Sequence, residues 1–403
     1  MGVMSSTFAG EDARGEVSNA PVGAMRRRKV FYLLDSLNVG GTETQAVELA
    51  LRMPSSKYEI TLGCLTAKGP LLERLQGSAV RVEEFHPTGG LDSPAGFYEM
   101  LRLAVYLRRE RFDVMHAHDL WSNLMGVPAA RLARVAAIIS SQRDLSHFNW
   151  YRGIKGKMLR RIQRMSNVLL ANATPIRDAL IAEDGFPPAK LVVIHNGVDT
   201  SRVQLGKRDR ARFVPGSGAG KLVVLVGNMH SDVKGHPWLI EAAPAVLKEF
   251  PDTRFVLAGD GEARPEFERQ VRDRGLDGSV VFLGARGDIP DILASCDIGV
   301  LPSKAEGLSN AVLEYMAAGL PTIVSRVGGN PELVEDGVTG LLVPPQDSKA
   351  LVVALLRLLR DEEFARRMAD AGRRIATQDY SFERLVREVD ALYTELLVGA
   401  KRD

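Results

Sequence analysis

Residues 298–314 read IGVLPSKAEGLSNAVLE, and this stretch is the most informative of the chain about its fold. Its first four residues form a short β-branched run that predicts a buried strand. A loop containing Glu306 follows, and residues 307–310 then open an amphipathic helix. Because the first N–H groups of a helix have no partners within the helix, this turn from strand to helix is a ready anion-binding site.

Two glutamates are spaced across this turn. Glu314 lies eight residues after Glu306, which is about two turns into the predicted helix. From that position its carboxylate can reach the diol of a ribose whose phosphate sits at the helix start. In the alternative interpretation, Glu306 and Asn310 only cap the helix and Glu314 faces solvent. The spacing of the pair does not by itself decide between the two.

The same alternation of strand and helix extends outward through most of the chain. Short β-branched runs alternate with longer amphipathic stretches, for example 43–53 and 95–111. This order is typical of a parallel sheet covered by helices on both faces. The predicted strands are 30–34, 60–65, 80–85, 113–116, 137–140, 168–171 and 191–194, and in a second series 222–226, 254–258, 280–283, 298–301, 322–325 and 340–343.

The two series predict an α/β protein with two Rossmann-like, doubly wound parallel-sheet domains and a cleft between them. Residues 201–220 are first charged and then rich in Gly and Pro, which is the composition of a linker. They separate an N-terminal domain at 26–200 from a C-terminal domain at 221–380. An amphipathic helix at 381–403 is expected to pack back toward the N-terminal domain. Ligands of such sheets bind beyond the carboxyl ends of the strands.

Length and composition exclude several classes of protein. The chain has 403 residues, of which 45% are hydrophobic and 25% are charged, as in a soluble globular protein. No apolar run approaches the roughly 20 residues of a membrane-spanning helix. Residues 1–25 lack the apolar core of a signal peptide and are interpreted as a disordered leader. Cys64 and Cys296 are interpreted as buried free thiols, which suit a reducing cytoplasm.

Four further motifs surround the glutamate pair in a fixed order. They read GGTE at 40–43, HNGVD at 195–199, GGNPELV at 328–334 and DGVTGLL at 336–342. Together with the E-x7-E spacing of Glu306 and Glu314, they resemble the family 4 glycosyltransferases over residues 30–395. The resemblance implies the GT-B fold, with an N-terminal acceptor domain and a C-terminal domain that holds a nucleotide-sugar donor.

The resemblance also implies roles for individual residues. In the family, the first glutamate contacts the transferred sugar, the second binds the ribose, and the helix start holds the distal phosphate. A catalytic role is therefore implied for Glu306 and a ribose contact for Glu314. The other donor-binding positions that it implies in these loops are Gly40, Gly41, Gly307, Leu308, Ser309 and Asn310.

One of the two cations that the resemblance implies around the donor's diphosphate is missing. Family members place an Arg and a Lys six residues apart after the first strand of the second domain, and here these positions hold Asn228 and Lys234. Positioned cations usually supply the largest stabilisation of such a leaving group, and Asn228 carries no charge. His230, Arg286 and Arg326 are candidates to compensate, and the loop of Arg286 is where the family seats the base.

The fourth strand of the first series ends in two histidines, His116 and His118. We expect them to point to opposite faces, so that only one faces the cleft. The family's pattern makes that residue His118, with a catalytic role near the donor sugar, and leaves His116 as a buried, hydrogen-bonded side chain. His-x-His can bind a metal, but no further ligand cluster accompanies it and no Asp-x-Asp triplet occurs. We expect neither a metal nor another cofactor.

The charge of the chain is uneven. The first 200 residues carry 25 Lys and Arg against 20 Asp and Glu, whereas the net charge of the whole chain is only +2. Four cations are predicted on one side of a helix: Lys157, Arg160, Arg161 and Arg164. The opposite side is apolar: Ile154, Met158, Ile162 and Met165. The basic side is either an ordinary solvated face or a surface that docks on an anionic membrane, where lipid-linked acceptors reside. No nucleic-acid recognition motif occurs.

The resemblance therefore implies a retaining hexosyltransferase that moves a sugar from a nucleotide-sugar donor to a hydroxyl of a glycan or lipid-linked acceptor. Its expected place is polysaccharide, glycolipid or lipid-linked glycan synthesis, in the cytoplasm or peripherally on the inner face of the membrane. Two alternatives stay open. One is a GT-B relative that epimerises or hydrolyses a nucleotide sugar. The other, motivated by Asn228, is a protein that binds the nucleotide sugar without transfer.

Overall fold

The computed structural model of the chain describes residues 26–87, 89–90, 93–144, 153–216, 218 and 220–400. The leader expected at 1–25 lies outside the described residues. The rest forms two parallel sheets of seven and six strands, each interleaved with helices. The predicted alternation of strand and helix in two series is therefore confirmed.

The first sheet has the order β3-β2-β1-β4-β5-β6-β7, and all its strands are parallel. Its strands are β1 (Arg28–Ser36), β2 (Tyr58–Thr66), β3 (Arg81–Glu84), β4 (Val114–Ala117), β5 (Ala137–Gln142), β6 (Val168–Ala171) and β7 (Leu191–Val193). The accompanying helices are α1 (Gly41–Arg52), α2 (Leu71–Leu75), α3 (Pro94–Glu110), α4 (Leu120–Ala133), α5 (Gly153–Gln163) and α6 (Thr174–Ala182).

The second sheet has the order β10-β9-β8-β11-β12-β13 and is also parallel throughout. Two short helices lead into it, α7 (Thr200–Gln204) and α8 (Arg210–Phe213). Its strands are β8 (Leu222–Val226), β9 (Arg254–Ala258), β10 (Val280–Gly284), β11 (Ile298–Leu301), β12 (Thr322–Ser325) and β13 (Leu341–Val343). Its helices are α9 (His236–Glu249), α10 (Arg264–Asp273), α11 (Ile289–Ser295), α12 (Asn310–Ala318), α13 (Asn330–Leu333), α14 (Ser348–Arg360) and α15 (Glu362–Asp379).

Burial explains why the strands read as continuous apolar runs. Every residue of β4, β5, β6, β11 and β12 is buried. Helices cover both faces of a parallel sheet, so its strands do not alternate between apolar and polar residues. In each sheet the strand order reverses beside the first strand, at β1/β4 and at β8/β11. Loops that leave a sheet at such a switch point diverge and open a crevice for ligands.

The last helix, α16 (Phe382–Gly399), does not pack on the second sheet. Its apolar residues Phe382, Leu385 and Val389 belong to the core cluster formed by β1, β2 and α1. Further along the helix, the Tyr393 hydroxyl donates to Tyr32 Oη at 3.2 Å. The C-terminal end of the chain thus completes the core of the N-terminal domain.

The segment predicted as a linker packs against the second domain and contains α7 and α8. Val203, Phe213 and Val214 are buried in the same core cluster as β8 and β11. A Cβ atom on Gly206 would overlap the carbonyl oxygen of Pro290, so only glycine allows this close approach. The composition indicates a connection between domains but carries no information on what the connection packs against.

Candidate active site

The loop between β11 and α12 presents free backbone donors to the cleft. The Ser309 side chain caps α12 by accepting the N–H of Val312 at 3.4 Å. Among the described residues, the N–H groups of Gly307, Leu308 and Asn310 meet no hydrogen-bond acceptor. With the positive end of the helix dipole behind them, these groups form a site for an anion such as a phosphate.

Glu306 and Lys234 form an ion pair beside this helix start. Lys234 Nζ lies 2.8 Å from Oε1 and 2.9 Å from Oε2 of Glu306, and the Ser303 hydroxyl donates to Oε1 at 2.6 Å. The left-handed backbone of Gly235, with φ of 87°, lets the Lys234 turn approach the end of β11, because a Cβ there would overlap the carbonyl oxygen of Pro302. The structure thus brings together two charged residues that are 72 positions apart.

Glu314 lies further along α12 and is without a partner. It is half-buried, and no described residue donates a hydrogen bond to it or forms an ion pair with it. Burial raises the pKa of its carboxyl to about 7, and the charge of Arg202 opposes this shift. A half-buried acid that has no hydrogen-bond donor among the described residues suits a ligand that brings donors of its own, such as a ribose diol.

The two domains meet at the same helix start, through side-chain amides. The Asn310 side chain donates to the carbonyl oxygen of Gly41 at 3.0 Å and accepts from Asn196 at 2.8 Å and from Gln45 at 3.2 Å. The Asn196 side chain also donates to the carbonyl oxygen of Leu308 at 3.0 Å. The side chain of Asn310 therefore joins the domains, and only its backbone is available to a donor.

The loop at Gly40 and Gly41 lies directly against this junction. The carboxylate of Glu43 folds back over the start of α1, and a Cβ on Gly40 would overlap it. Burial raises the pKa of Glu43, and the nearby charge of Asp35 adds to this shift. The loop contacts the second domain directly, because the carbonyl oxygen of Gly41 accepts from the side chain of Asn310.

None of the predicted substitutes for the missing arginine contacts the Lys234–Glu306 pair. Asn228 itself is exposed. Arg286 is bound by both oxygens of Asp288 at 2.8 and 2.5 Å. The other two candidates are also held by acids, His230 by Glu262 at 2.7 Å and Arg326 by Asp336 at 3.1 Å. Arg286 stays a predicted donor-binding residue, and in this structure its guanidinium is paired with Asp288.

The expectation that His116 and His118 point to opposite faces is wrong. Their rings stack with centroids 4.0 Å apart. Residues two apart along a strand share a face, which is the physical reason for this arrangement. His116 is hydrogen-bonded to Tyr393 Oη and Ser141 Oγ, both at 2.8 Å. His118 is fully buried, and neither of its ring nitrogens has a partner among the described residues.

Acidic and basic groups surround His118 at the carboxyl end of the first sheet. Burial, with His116 and Arg143 nearby, lowers the pKa of His118 well below its usual range, so the ring is neutral. Asp119 accepts backbone N–H groups of Asp35 and Ser122, both at 2.8 Å, and burial raises its pKa to about 7. Arg143 directly follows β5 and was not predicted. A charged residue at the carboxyl end of a buried strand is the signal that could have found it.

The basic helix α5 matches the prediction only in part: Lys157, Arg161 and Arg164 are exposed, and Ile162 and Met165 pack against the core. Its buried stripe is Gly156, Leu159, Arg160 and Gln163. Arg160 is only 4% exposed and pairs with Asp184 at 2.7 Å, so it does not belong to the solvated face. Ile154 and Met158 are 88% and 47% exposed, so they do not pack in the core. A buried arginine that pairs with an acid and donates to the side-chain oxygens of Gln142 and Gln163 can occupy an inner position that the periodicity assigns to solvent.

None of the described helices is both long and apolar enough to span a bilayer. No three His, Cys, Asp or Glu side chains in the described part of the chain are grouped as metal ligands.

The chain is similar to known glycosyltransferases over most of its length. The model of glycosyltransferase family 4 matches residues 39–202, and the model of glycosyl transferases group 1 matches residues 220–361. The UDP-Gal:alpha-D-GlcNAc-diphosphoundecaprenol alpha-1,3-galactosyltransferase of Escherichia coli is 28% identical over 363 residues, 86% of this chain and 92% of that protein. The GDP-mannose-dependent alpha-(1-6)-phosphatidylinositol monomannoside mannosyltransferase of Mycolicibacterium smegmatis is 31% identical over 287 residues, 68% of this chain and 73% of that protein.

Solved structures match the fold over nearly the whole chain. The structure of Anabaena HepE in complex with UDP-glucose superposes with a TM-score of 0.81 at 24% identity, and the match covers 91% of this chain and 99% of that one. A sucrose-phosphate synthase from Thermosynechococcus elongatus superposes with a TM-score of 0.77 at 18% identity, covering 93% and 100% of the two chains. The prediction of a GT-B architecture is thereby confirmed.

Proposed function

The chain belongs to this family of glycosyltransferases, and from that premise we propose a retaining hexosyltransferase that uses a nucleotide-sugar donor and a lipid-linked glycan acceptor. The observation that carries the proposal is the arrangement at α12. Free N–H groups suit a phosphate, the Lys234–Glu306 pair lies beside them, and unpartnered Glu314 lies along the same helix. These three features match the phosphate, the sugar and the ribose of one ligand.

The proposed mechanism gives each of these groups one task. The helix start and Lys234 stabilise the negative charge that develops when the bond between the anomeric carbon and the diphosphate breaks. Lys234 has three N–H donors, and its contacts with Glu306 leave one for a phosphate oxygen. Glu306 orients the sugar by accepting one of its hydroxyls. The acceptor hydroxyl attacks from the side of the leaving group, and its proton goes to the departing phosphate oxygen.

The acceptor class is inferred from the relatives and from the position of the N-terminal domain. The names of the two relatives contain a diphosphoundecaprenol and a phosphatidylinositol, both lipids with phosphate. In this chain, the neutral His118 and the high-pKa Asp119 lie at the carboxyl end of the first sheet, where a hydroxyl of the acceptor would enter. We assign the two residues to the acceptor side of the cleft.

The decisive experiment combines a binding panel with a transfer assay. Thermal unfolding is followed with UDP-, GDP- and ADP-sugars, because a ligand that binds only the folded state raises the unfolding temperature. The stabilising donor is then incubated, radiolabelled, with and without membrane lipid extract. Label that enters the lipid fraction supports transfer. Rapid release of free or epimerised sugar without acceptor would favour the alternative of a hydrolase or epimerase. Stabilisation with no turnover at all would favour a binding protein.

Metal-independent transfer is expected. The helix start and Lys234 take the place that a divalent cation would otherwise have at the diphosphate, so EDTA should leave most of the activity intact. The measurement compares initial transfer rates with EDTA, with EDTA plus excess Mg²⁺, and with EDTA plus excess Mn²⁺. A complete loss that either ion restores would show that the reaction needs a metal.

The helical layer of the N-terminal domain is proposed to contact the membrane. Helices α3, α4 and α5 lie side by side on one face of the first sheet. Most of the large apolar side chains that the described residues expose lie on this layer: Phe97, Tyr98, Leu101, Val105, Leu132, Ile154 and Met158. Lys157 and Arg161 are exposed beside Ile154 and Met158. Apolar groups next to cations suit the interface of an anionic bilayer.

Binding to vesicles should depend on both kinds of side chain. Each cation near an anionic bilayer contributes about 1 kcal/mol, which allows reversible but not permanent attachment. We expect co-sedimentation with anionic vesicles, less binding at high salt, and at least tenfold weaker binding when Lys157, Arg161 and Arg164 become Gln. The matched control replaces Arg360, Arg366 and Arg367, exposed on the second domain, by Gln. Equal recovery on neutral and anionic vesicles would contradict the proposal.

A further inference from the structure

Arg143 is a mostly buried arginine at the junction of the two domains, and it forms no direct ion pair with an acid of the described residues. Arg143 Nη1 donates to the side-chain oxygen of Asn196 at 3.0 Å. Its Nε is buried without an acceptor, and no carboxylate of the described residues lies within the 4.0 Å of an ion pair. Arg160, which is buried on α5 of the same domain, is by contrast paired with Asp184. Because a guanidinium stays charged, one that is shielded and makes no direct ion pair indicates a place for an anion.

Arg143 lies next to the free donors of α12. Asn196, which accepts from Arg143, donates in turn to the carbonyl oxygen of Leu308 and to Asn310. The backbone of Arg143 touches the same loop, since a Cβ on Gly307 would overlap its carbonyl oxygen. Arg143 therefore forms the wall that the N-terminal domain contributes beside the anion site.

The acids near Arg143 do not cancel its charge by direct contact. Glu43 and Asp119 interact with it electrostatically but are not within ion-pair distance. Burial raises the pKa of both carboxyls, for Asp119 to about 7, whereas the pKa of Arg143 falls only to about 10. At neutral pH the guanidinium is charged, and Asp119 is partly protonated.

The site needs a second cation. The charge of Lys234 is already balanced by Glu306, and Asn228 has none. His230, Arg286 and Arg326 are each held by an acid. We propose that Arg143, from the N-terminal domain, binds the diphosphate of the donor and supplies the positive charge that Asn228 lacks. The inference rests on the proposed function and names a residue that serves it.

The first test measures binding and turnover separately. Wild type and Arg143→Gln are titrated by calorimetry with UDP, GDP and ADP, and then assayed for transfer. Loss of charge-assisted hydrogen bonds should weaken binding of the preferred diphosphate roughly tenfold or more and lower kcat/KM at least as much. The acceptor KM should stay within about twofold, since the acceptor is not the proposed ligand. Arg360→Gln, which removes an exposed arginine of the second domain, is the matched control.

The second test moves the charge across the cleft. Asn228 is exposed, so an arginine fits there without burial. Asn228→Arg in the Arg143→Gln background should recover at least about tenfold in diphosphate affinity, because charge rather than shape is missing. Thermal unfolding of each variant checks the fold, and Arg143→Lys, which keeps the charge, serves if the Gln variant is unstable.

Three results would overturn the inference. They are unchanged diphosphate affinity in folded Arg143→Gln, an effect confined to the acceptor KM, and no recovery in the double variant. The second would assign Arg143 to a phosphate of the acceptor. Failure of the wild type to bind any nucleoside diphosphate would instead reject the proposed function itself.

Discussion

Replacing Glu306 by Gln should reduce transfer by roughly 10²-fold or more, as for loss of a positioned charge in an active site. The carboxylate holds Lys234 by both oxygens and accepts from Ser303, so it fixes the cation next to the leaving group. An amide offers a single acceptor and places its NH₂ group toward the ammonium. Lys234 is then released from its position, although its charge remains. Initial transfer rates at saturating donor measure this effect.

The affinity for the donor should change far less than the rate. Glu306 is proposed to act on the sugar and on Lys234, whereas most binding comes from the helix start and Glu314. The matched control is Glu249→Gln, which removes an exposed carboxylate that pairs with Arg360. A folded Glu306→Gln protein that turns over at near-normal rate would remove Glu306 from the mechanism.

Replacing Glu314 by Ala should weaken binding of the nucleoside diphosphate by roughly 10- to 150-fold, which corresponds to the 1.5–3 kcal/mol of a charge-assisted hydrogen bond. The acid is half-buried and has no partner within the described protein. Calorimetric titration of wild type and variant measures the difference. Equal affinity would show that Glu314 does not contact the ribose.

The raised pKa of Glu314 predicts that the stability of the fold and the affinity for the nucleotide depend on pH. The pKa of Glu314 is about 7 in the folded protein, raised from 4.5 by burial. The unliganded fold therefore loses stability as pH rises from 4.5 through 7, because the unfolded chain gives up this proton first. Glu314→Gln should consequently raise the unfolding temperature relative to wild type more at pH 8 than at pH 5. For nucleotide affinity the difference has the opposite sign: wild type should bind the nucleotide more tightly than Glu314→Gln, and this difference should be larger at pH 8 than at pH 5.

The sequence predicted the sheets well because parallel strands have a strong local signal. The strands at 168–171, 222–226, 254–258, 298–301 and 322–325 have the predicted bounds. Each is a short, mostly apolar run that is buried on both faces of the sheet. Such a strand can be recognised from its own sequence, without knowledge of the strands beside it. The GT-B architecture followed from two series of these runs and from the family motifs between them.

The contacts of the site could not be predicted in the same way. Lys234 and Glu306 could be named from the resemblance, but their direct pairing depends on how two loops approach each other across the switch point. Arg143 belongs to no motif, and its interpretation depends on the finding that no carboxylate of the described residues lies within ion-pair distance of it, which only the three-dimensional structure reveals. The prediction that Arg160 on α5 faces solvent was wrong for a related reason. Arg160 is tolerated inside because Asp184, from a later segment, accepts it.

The packing of α16 sets the order in which the molecule can be completed during synthesis. The N-terminal half leaves the ribosome first, yet one face of its sheet is covered by Phe382, Leu385 and Val389, near the other end of the chain. Until these residues emerge, β1 and β2 expose apolar surface that chaperones or other chains can bind. The second domain lies between and can form its own core in the meantime. The half that is translated first is thus the last to be finished.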